Sequence, residues 1–312
     1  MGRLIRHGAR RFLAHGLALG HGTLDARDEA AYLPLHALKL PPVHPAGRAR
    51  RLAKRQVAAV MAAFERRIRE RKPAAYVTSE AWLGDLKFYI DERAIIPRSY
   101  IAELLREDLA PWIVSPGQVR RALDLGTGSG CLAVLLARSF PRARVDATDV
   151  STAALQVARR NVSNYRLSRR IRLARSDLFA ALGRRRYDLI VSNPPYVRTS
   201  VMRRLPPEYR FEPALALAGG VDGLDIVHRI LNAARRHLNP GGVLVVEVGH
   251  NRRRVERAYP RLAFTWAETS GGDDCVFLLS REQLHPLQRA AGRAPAAGRA
   301  RHRRRGGTSA RV

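Results

Sequence analysis

The chain has 312 residues, 46% of them hydrophobic, and carries 56 Lys and Arg against 27 Asp and Glu, a formal net charge of +29. That length is enough to bury a full core and suggests one large domain with a smaller one beside it. No window approaches a membrane span, and two cysteines, Cys131 and Cys275, exclude a disulfide framework and point to a reducing compartment without a metal site. Only four of the bases are lysines, so the excess reads either as an arginine-biased composition with a solvated face or as charge that steers the chain toward an acidic partner.

In chain order, the pair Arg10-Arg11 before Phe-Leu-Ala has the look of an export signal. His15 and His21 interrupt the apolar stretch, no small-residue cleavage site follows, and Asp25, Asp28 and Glu29 come too early, so a cytoplasmic protein is expected. Residues 1–72 read as a helical module. Its clearest helix spans 51–71, where Val57, Val60, Met61, Phe64 and Ile68 recur at helical spacing opposite a basic face, and Pro73 ends it. Residues 73–117 form a hairpin and linker: Leu86, Phe88 and Ile90 alternate with Lys87, Tyr89 and Asp91 after a Gly84-Asp85 turn.

From 118 to 285 strands and helices alternate, with strands at 121–125, 144–149, 171–174 and 187–191 and helices at 131–139 and 152–162. Such alternation implies an α/β fold with right-handed crossovers and a parallel sheet. The connection 197–222, rich in Pro, Glu and Arg, is too long for a mere link and is expected in the substrate wall. A helix at 224–237, a strand at 243–248 and two strands at 262–268 and 275–280 around Gly271-Gly272 close the domain. No acid follows Glu282, and residues 289–312 hold eight arginines among Ala, Gly and Pro, so 286–312 are expected to be a basic, disordered tail.

Chemistry concentrates at the strand ends. Asn193-Pro194-Pro195-Tyr196 closes the apolar run 187–191. Neither proline can donate to a ladder, and Pro194 holds Asn193 extended, so its carboxamide points above the sheet beside fixed carbonyl acceptors. Tyr196 adds an aromatic wall. The matching ligand is planar and bears an NH2: a carboxamide or an exocyclic base amine. The competing view is an Asn-Pro turn with no ligand. Asp124-Leu-Gly126-Thr127-Gly128-Ser-Gly130 joins a strand to an apolar helix and lets the backbone approach a ligand, with a spacing unlike the dinucleotide fingerprint. Asp149 ends the next strand, placed for ribose hydroxyls, and Asp177 follows the one after. The competing view of Asp149 is a helix cap, a role for which Ser151 is the better candidate.

This layout resembles the class I S-adenosylmethionine-dependent methyltransferases, with their Rossmann-like, mostly parallel seven-stranded sheet. Asn193-Pro194-Pro195-Tyr196 resembles the branch that methylates planar nitrogens. The likeness is to the protein glutamine methyltransferases, among them those acting on the third large-subunit ribosomal protein. It is carried further by Gly20-His-Gly-Thr23, Pro73-Ala-Ala-Tyr76, Phe88-Tyr-Ile-Asp-Glu92, Ile96-Pro-Arg-Ser99, Glu212-Pro213, Asp222-Gly-Leu224, Glu247-Val-Gly249 and Gly271-Gly272, in shared order over roughly 10–285.

The resemblance implies that Asp124, Gly126, Thr127, Gly128 and Gly130 hold the methionine side of S-adenosylmethionine, Asp149 the ribose and Asp177 the adenine, while Asn193 serves both ligands and the segment 96–99 lies near the cofactor. It also implies a ribosomal protein as substrate, with ribosomal RNA as the acidic partner of the basic surface and tail. Three other readings stay open. They are an adenine-N6 methyltransferase of nucleic acid, for which no target-recognition domain is evident, a release-factor glutamine methyltransferase and a non-catalytic ribosome-assembly factor. In the release-factor branch the segment matching 96–99 continues into Pro-Glu-Thr, whereas here it continues Tyr-Ile-Ala-Glu103.

Overall fold

The computed structural model describes residues 1–23, 25–40, 51–285 and 287. The expected tail thus lies outside the described residues except at position 287. Helices α1 (Gly2–Ala14), α2 (Ala26–Ala37) and α3 (Lys54–Glu70) bury Phe12, Leu33, Val60 and Phe64 against one another. Asp25 starts α2 by accepting from the N–H groups of Arg27 and Asp28 at 2.7 and 2.8 Å, two donors a helix start leaves free. Phe12 and Phe64 meet edge to face with centroids 5.4 Å apart. Gly8 permits that approach, since a Cβ there would stand 2.6 Å from the Phe64 ring. The inner face of α3 runs Val60, Phe64, Arg67, so Arg67 departs from the expected basic outer face: it is fully buried, with its Nε donating to Glu29 at 2.5 Å.

After α4 (Ala74–Thr78), strands β1 (Glu80–Leu83) and β2 (Leu86–Tyr89) pair Leu83 with Leu86 around the expected Gly84-Asp85 turn. Ala81, Ile90 and Ile96 pack on Ala154 and Val157, fastening the hairpin to the large domain. Helix α5 (Ile101–Arg106) leads into β3 (Arg121–Leu125), α6 (Cys131–Ser139), β4 (Arg144–Asp149), α7 (Thr152–Asn164), β5 (Ile171–Arg175) and β6 (Tyr187–Ser192). The chain continues through α8 (Thr199–Met202), α9 (Asp225–His237), β7 (Leu238–Glu247), α10 (Arg252–Ala258), β8 (Thr265–Thr269) and β9 (Gly272–Ser280).

Seven strands form one sheet in the order β5-β4-β3-β6-β7-β9-β8, parallel except that β9 runs antiparallel to both neighbours. The inner strands are apolar on both faces: Ala122 and Val191 join one core, Leu123 and Ile190 the other. β7 starts earlier than expected because Leu238 pairs with Tyr187, after which the register skips Asn239-Pro-Gly-Gly242 and resumes at Leu189 and Val243. From β3 the chain builds outward to β4 and β5, then returns to β6 on the other side. Strand order therefore reverses between β3 and β6, and a ligand crevice opens above their carboxyl ends. Among the described residues no helix is long and apolar enough to cross a membrane.

Candidate active site

At this switch point the Ser192 hydroxyl donates to the Leu125 carbonyl at 2.9 Å, aligning the ends of β3 and β6. Gly126 and Gly128 follow β3 with φ of +70° and +54°, a region that favours glycine. A Cβ on Gly126 would meet nothing within 4 Å, so the loop leaves open space there. Gly130 serves the fold instead: it precedes α6, and a Cβ would lie 3.0 Å from the Ala158 Cβ on α7.

Asp124 lies beneath the loop, 1% exposed, with Oδ2 accepting from the Thr127 hydroxyl at 2.6 Å and Oδ1 without a partner among the described residues. Burial pushes its carboxyl up to about 7, against the Thr127 hydrogen bond. Asp149 accepts from the Gly128 N–H at 2.9 Å and the Ser151 N–H at 2.8 Å, and burial raises its pKa against these bonds. Ser151 itself caps α7, accepting from the Ala154 N–H at 3.1 Å. Asp177 is exposed and takes a hydrogen bond from Arg229 at 2.7 Å.

Two cavities adjoin here. One, of about 240 Å³, is lined by Gly126, Gly128, Asp149, Asp177, Asn193 and Pro195 among others. The other, of about 220 Å³, reaches Arg98, Thr127, Asn193, Tyr196 and Tyr209. Asn193, Pro194, Gly126, Gly128, Ile95 and Ala216 border both. Asp124 and Gly130 line neither. Asn193 is half-buried, and its carboxamide makes no hydrogen bond to another described residue. The segment expected near the cofactor contributes Ile96, Pro97 and Arg98 to the second cavity.

Several supporting contacts escaped sequence reasoning, although some of their residues, Arg98, Ser99, Glu212 and Glu247 among them, are part of the family likeness. Behind Tyr196 stands Glu247, fully buried, accepting from the Ser99 hydroxyl at 2.6 Å and the Tyr100 N–H at 2.9 Å, with the Tyr196 hydroxyl 3.5 Å away. Burial pushes Glu247 up to about 7 and raises the Tyr196 phenol as well. The Tyr196 ring lies on Gly249, where a Cβ would come within 2.8 Å. Asn251 donates to the Tyr196 carbonyl at 3.4 Å.

Arg98 pairs with Glu212, Nη2 to Oε2 at 2.7 Å, and Glu212 also accepts from the Ile96 N–H at 3.2 Å. His21 packs against Tyr209 with centroids 4.3 Å apart and ring planes tilted by 54°, and burial brings its imidazole down to about 4, hence neutral. The connection after β6 folds back on the loop, Val197 N–H to Leu217 carbonyl at 2.9 Å and Gly219 N–H to Val197 carbonyl at 2.8 Å. Its Glu208 is fully buried, accepts from the Ala18 N–H at 3.1 Å and lies 2.8 Å from Arg71 and 3.8 Å from Arg67, so the N-terminal helices are ion-paired to the cavity wall.

A model of the methyltransferase small domain matches residues 103–205. A Bordetella pertussis protein named ribosomal protein uL3 glutamine methyltransferase is 54% identical over 284 residues, covering 90% of this chain and 95% of its own length. The chain belongs to the ribosomal protein uL3 glutamine methyltransferase family. Proteins of the same name from Neisseria meningitidis serogroup B and Burkholderia pseudomallei are 54% and 51% identical over 286 and 290 residues, 90% of this chain and 93% and 94% of theirs. The resemblance to protein glutamine methyltransferases is thereby borne out, as is the α/β fold with a mostly parallel seven-stranded sheet.

Proposed function

We propose that the protein transfers a methyl group from S-adenosylmethionine to the side-chain amide nitrogen of a glutamine in the large-subunit ribosomal protein uL3, giving N5-methylglutamine, and that it does so in the cytoplasm. The observation that carries this reading is the Asn193 carboxamide, free of internal partners at the wall common to two cavities.

S-adenosylmethionine, when bound, supplies a methyl group on a positively charged sulfur. Gly126 and Gly128 offer bare backbone, and the open space at the Gly126 Cβ position suits a close-lying ligand. Asp149 keeps a spare lone pair on each oxygen for ribose hydroxyls. Asp177 borders the same cavity for the adenine. Asp124 acts from beneath, bracing Thr127, and Gly130 by seating α6.

An amide nitrogen has little lone pair to give. The Asn193 side-chain oxygen and the Pro194 carbonyl would accept from its two N–H groups, orient it and favour charge leaving nitrogen as the N–C bond forms, a stabilisation that grows toward the transition state. As the methyl–sulfur bond breaks, one of the two amide protons is released by way of its acceptor to water. Pro195 keeps the loop off the sheet ladder, and Tyr196 supplies a flat face for the amide, held by Gly249 and Glu247. The net charge of +29 supports contact with ribosomal RNA through the basic surface and the tail at 286–312.

The test is incubation with labelled S-adenosylmethionine and an undermethylated ribosomal extract. Label on uL3 supports the reading. Label on a release factor or on nucleic acid, or none at all, overturns it.

A further inference from the structure

At the amino ends of the parallel strands, away from the cleft, β3 and β4 begin at Arg121 and Arg144, and Arg170 directly precedes β5. These strands are neighbours and Arg121 is the register partner of Arg144, so the positions lie side by side at a strand spacing of about 4.8 Å. A groove of about 770 Å³ opens there, and seven of its thirteen lining residues are arginine. Lys and Arg together are 56 of 312 residues, so the groove is far more basic than the chain's bias toward arginine explains.

Part of that charge is held internally. Arg170 donates to the Phe140 and Ala143 carbonyls at 2.8 and 2.9 Å, just past the end of α6. Arg172 lies 2.7 Å and Arg185 4.0 Å from Asp146, the one acid among the lining residues, which also accepts from the Tyr187 hydroxyl. Arg144, Arg159 and Arg169 are exposed and have no acidic partner among the described residues. Unpaired like charges gathered in one concavity repel, and an entering polyanion converts that repulsion into binding.

We propose that this groove seats the sugar-phosphate backbone of RNA. Guanidinium forks match phosphate oxygens bidentately, and contacts of this kind position a nucleic acid without reading its sequence. Five residue steps along β4, at about 3.3 Å each, put Arg144 about 16 Å from Asp149 in the cleft, so RNA held at the strand starts leaves the methyl-transfer site open to a protein. In naming RNA rather than another polyanion, the proposal rests on the ribosomal substrate proposed above.

The test is fluorescence anisotropy of the full chain with a labelled single-stranded ribosomal RNA fragment over a salt series, alongside methyl transfer to isolated uL3. Arg144→Ala/Arg159→Ala/Arg169→Ala is expected to weaken RNA binding by roughly tenfold to a hundredfold. It should also lower the slope of log K against log salt by about 2, at about 0.7 per contact, with methyl transfer unchanged. Arg3→Ala/Arg6→Ala/Arg10→Ala on α1 removes the same charge elsewhere and should change binding much less. Equal loss in both variants overturns the proposal, as does unchanged RNA binding in the first. Displacement of the RNA by an equal concentration of polyglutamate also overturns it, in favour of an acidic protein. RNA binding that depends on the groove supports the proposal whether or not uL3 is methylated, so the two readings fail separately.

Discussion

Replacing Asn193 by Ala separates the chemistry from the fold. The side chain makes no hydrogen bond to another described residue and is half-buried, so its loss leaves nothing unpaired inside the protein, and stability should move by no more than about 0.5 kcal/mol. In the reaction it removes one of two acceptors for the substrate amide. A transition-state hydrogen bond of that kind is worth about 2.7–4 kcal/mol, a fall of about 10²–10³-fold in single-turnover methyl transfer. Calorimetric affinity for S-adenosylmethionine should change much less, because Gly126, Gly128 and Asp149 keep their geometry. Asn193→Asp retains an acceptor but adds a charge, so it should bind the methyl donor and misplace the amide. Near-wild-type turnover of Asn193→Ala on uL3 would refute the mechanism.

Asp149→Ala should weaken S-adenosylmethionine binding by about 1.5–3 kcal/mol, and calorimetry showing unchanged affinity would remove Asp149 from the site. Glu247, raised from 4.5 to about 7 by burial, favours the folded state fully below about pH 4.5 and loses that contribution as pH rises through 7, about 3 kcal/mol in all. Urea midpoints of wild type should therefore fall relative to Glu247→Gln between pH 5 and 8, and parallel profiles would contradict the assignment. Arg67→Ala leaves the Glu29 carboxylate buried without its partner and should cost about 3–5 kcal/mol in urea unfolding, whereas a loss under 1 kcal/mol would show that water reaches the pair.

The parts of the site legible in the sequence are contiguous ones. The glycine loop, Asp149 at its strand end and the Asn-Pro-Pro-Tyr loop each declare themselves within a few residues, and the alternation around them gives the sheet. What escaped was assembled from distant segments: Arg98 meets Glu212, Ser99 meets Glu247 and Ala18 meets Glu208 across 114, 148 and 190 positions. One signal was present, since Glu247 closes an apolar run buried on both faces, where an ionisable group must find a partner. Arg67 gave none, because an arginine on an amphipathic helix in so basic a chain looks like solvated surface. The last hairpin differed in its bounds, Thr265–Thr269 and Gly272–Ser280, because β9 already begins at Gly272.

The ion pairs between the N-terminal helices and the segment after β6 limit how far this enzyme can be shortened. A chain begun at residue 73 loses Arg67, Arg71 and the Ala18 N–H at one stroke, and with them the partners that hold the Glu208 carboxylate in place. It also strips His21 from Tyr209 and removes the apolar cluster of α1, α2 and α3 almost whole, leaving only Ala74 and Val77 of it behind. For the same reason a fusion partner belongs ahead of α1 and not between α3 and α4, where it would part the N-terminal helices from the segment they are ion-paired to.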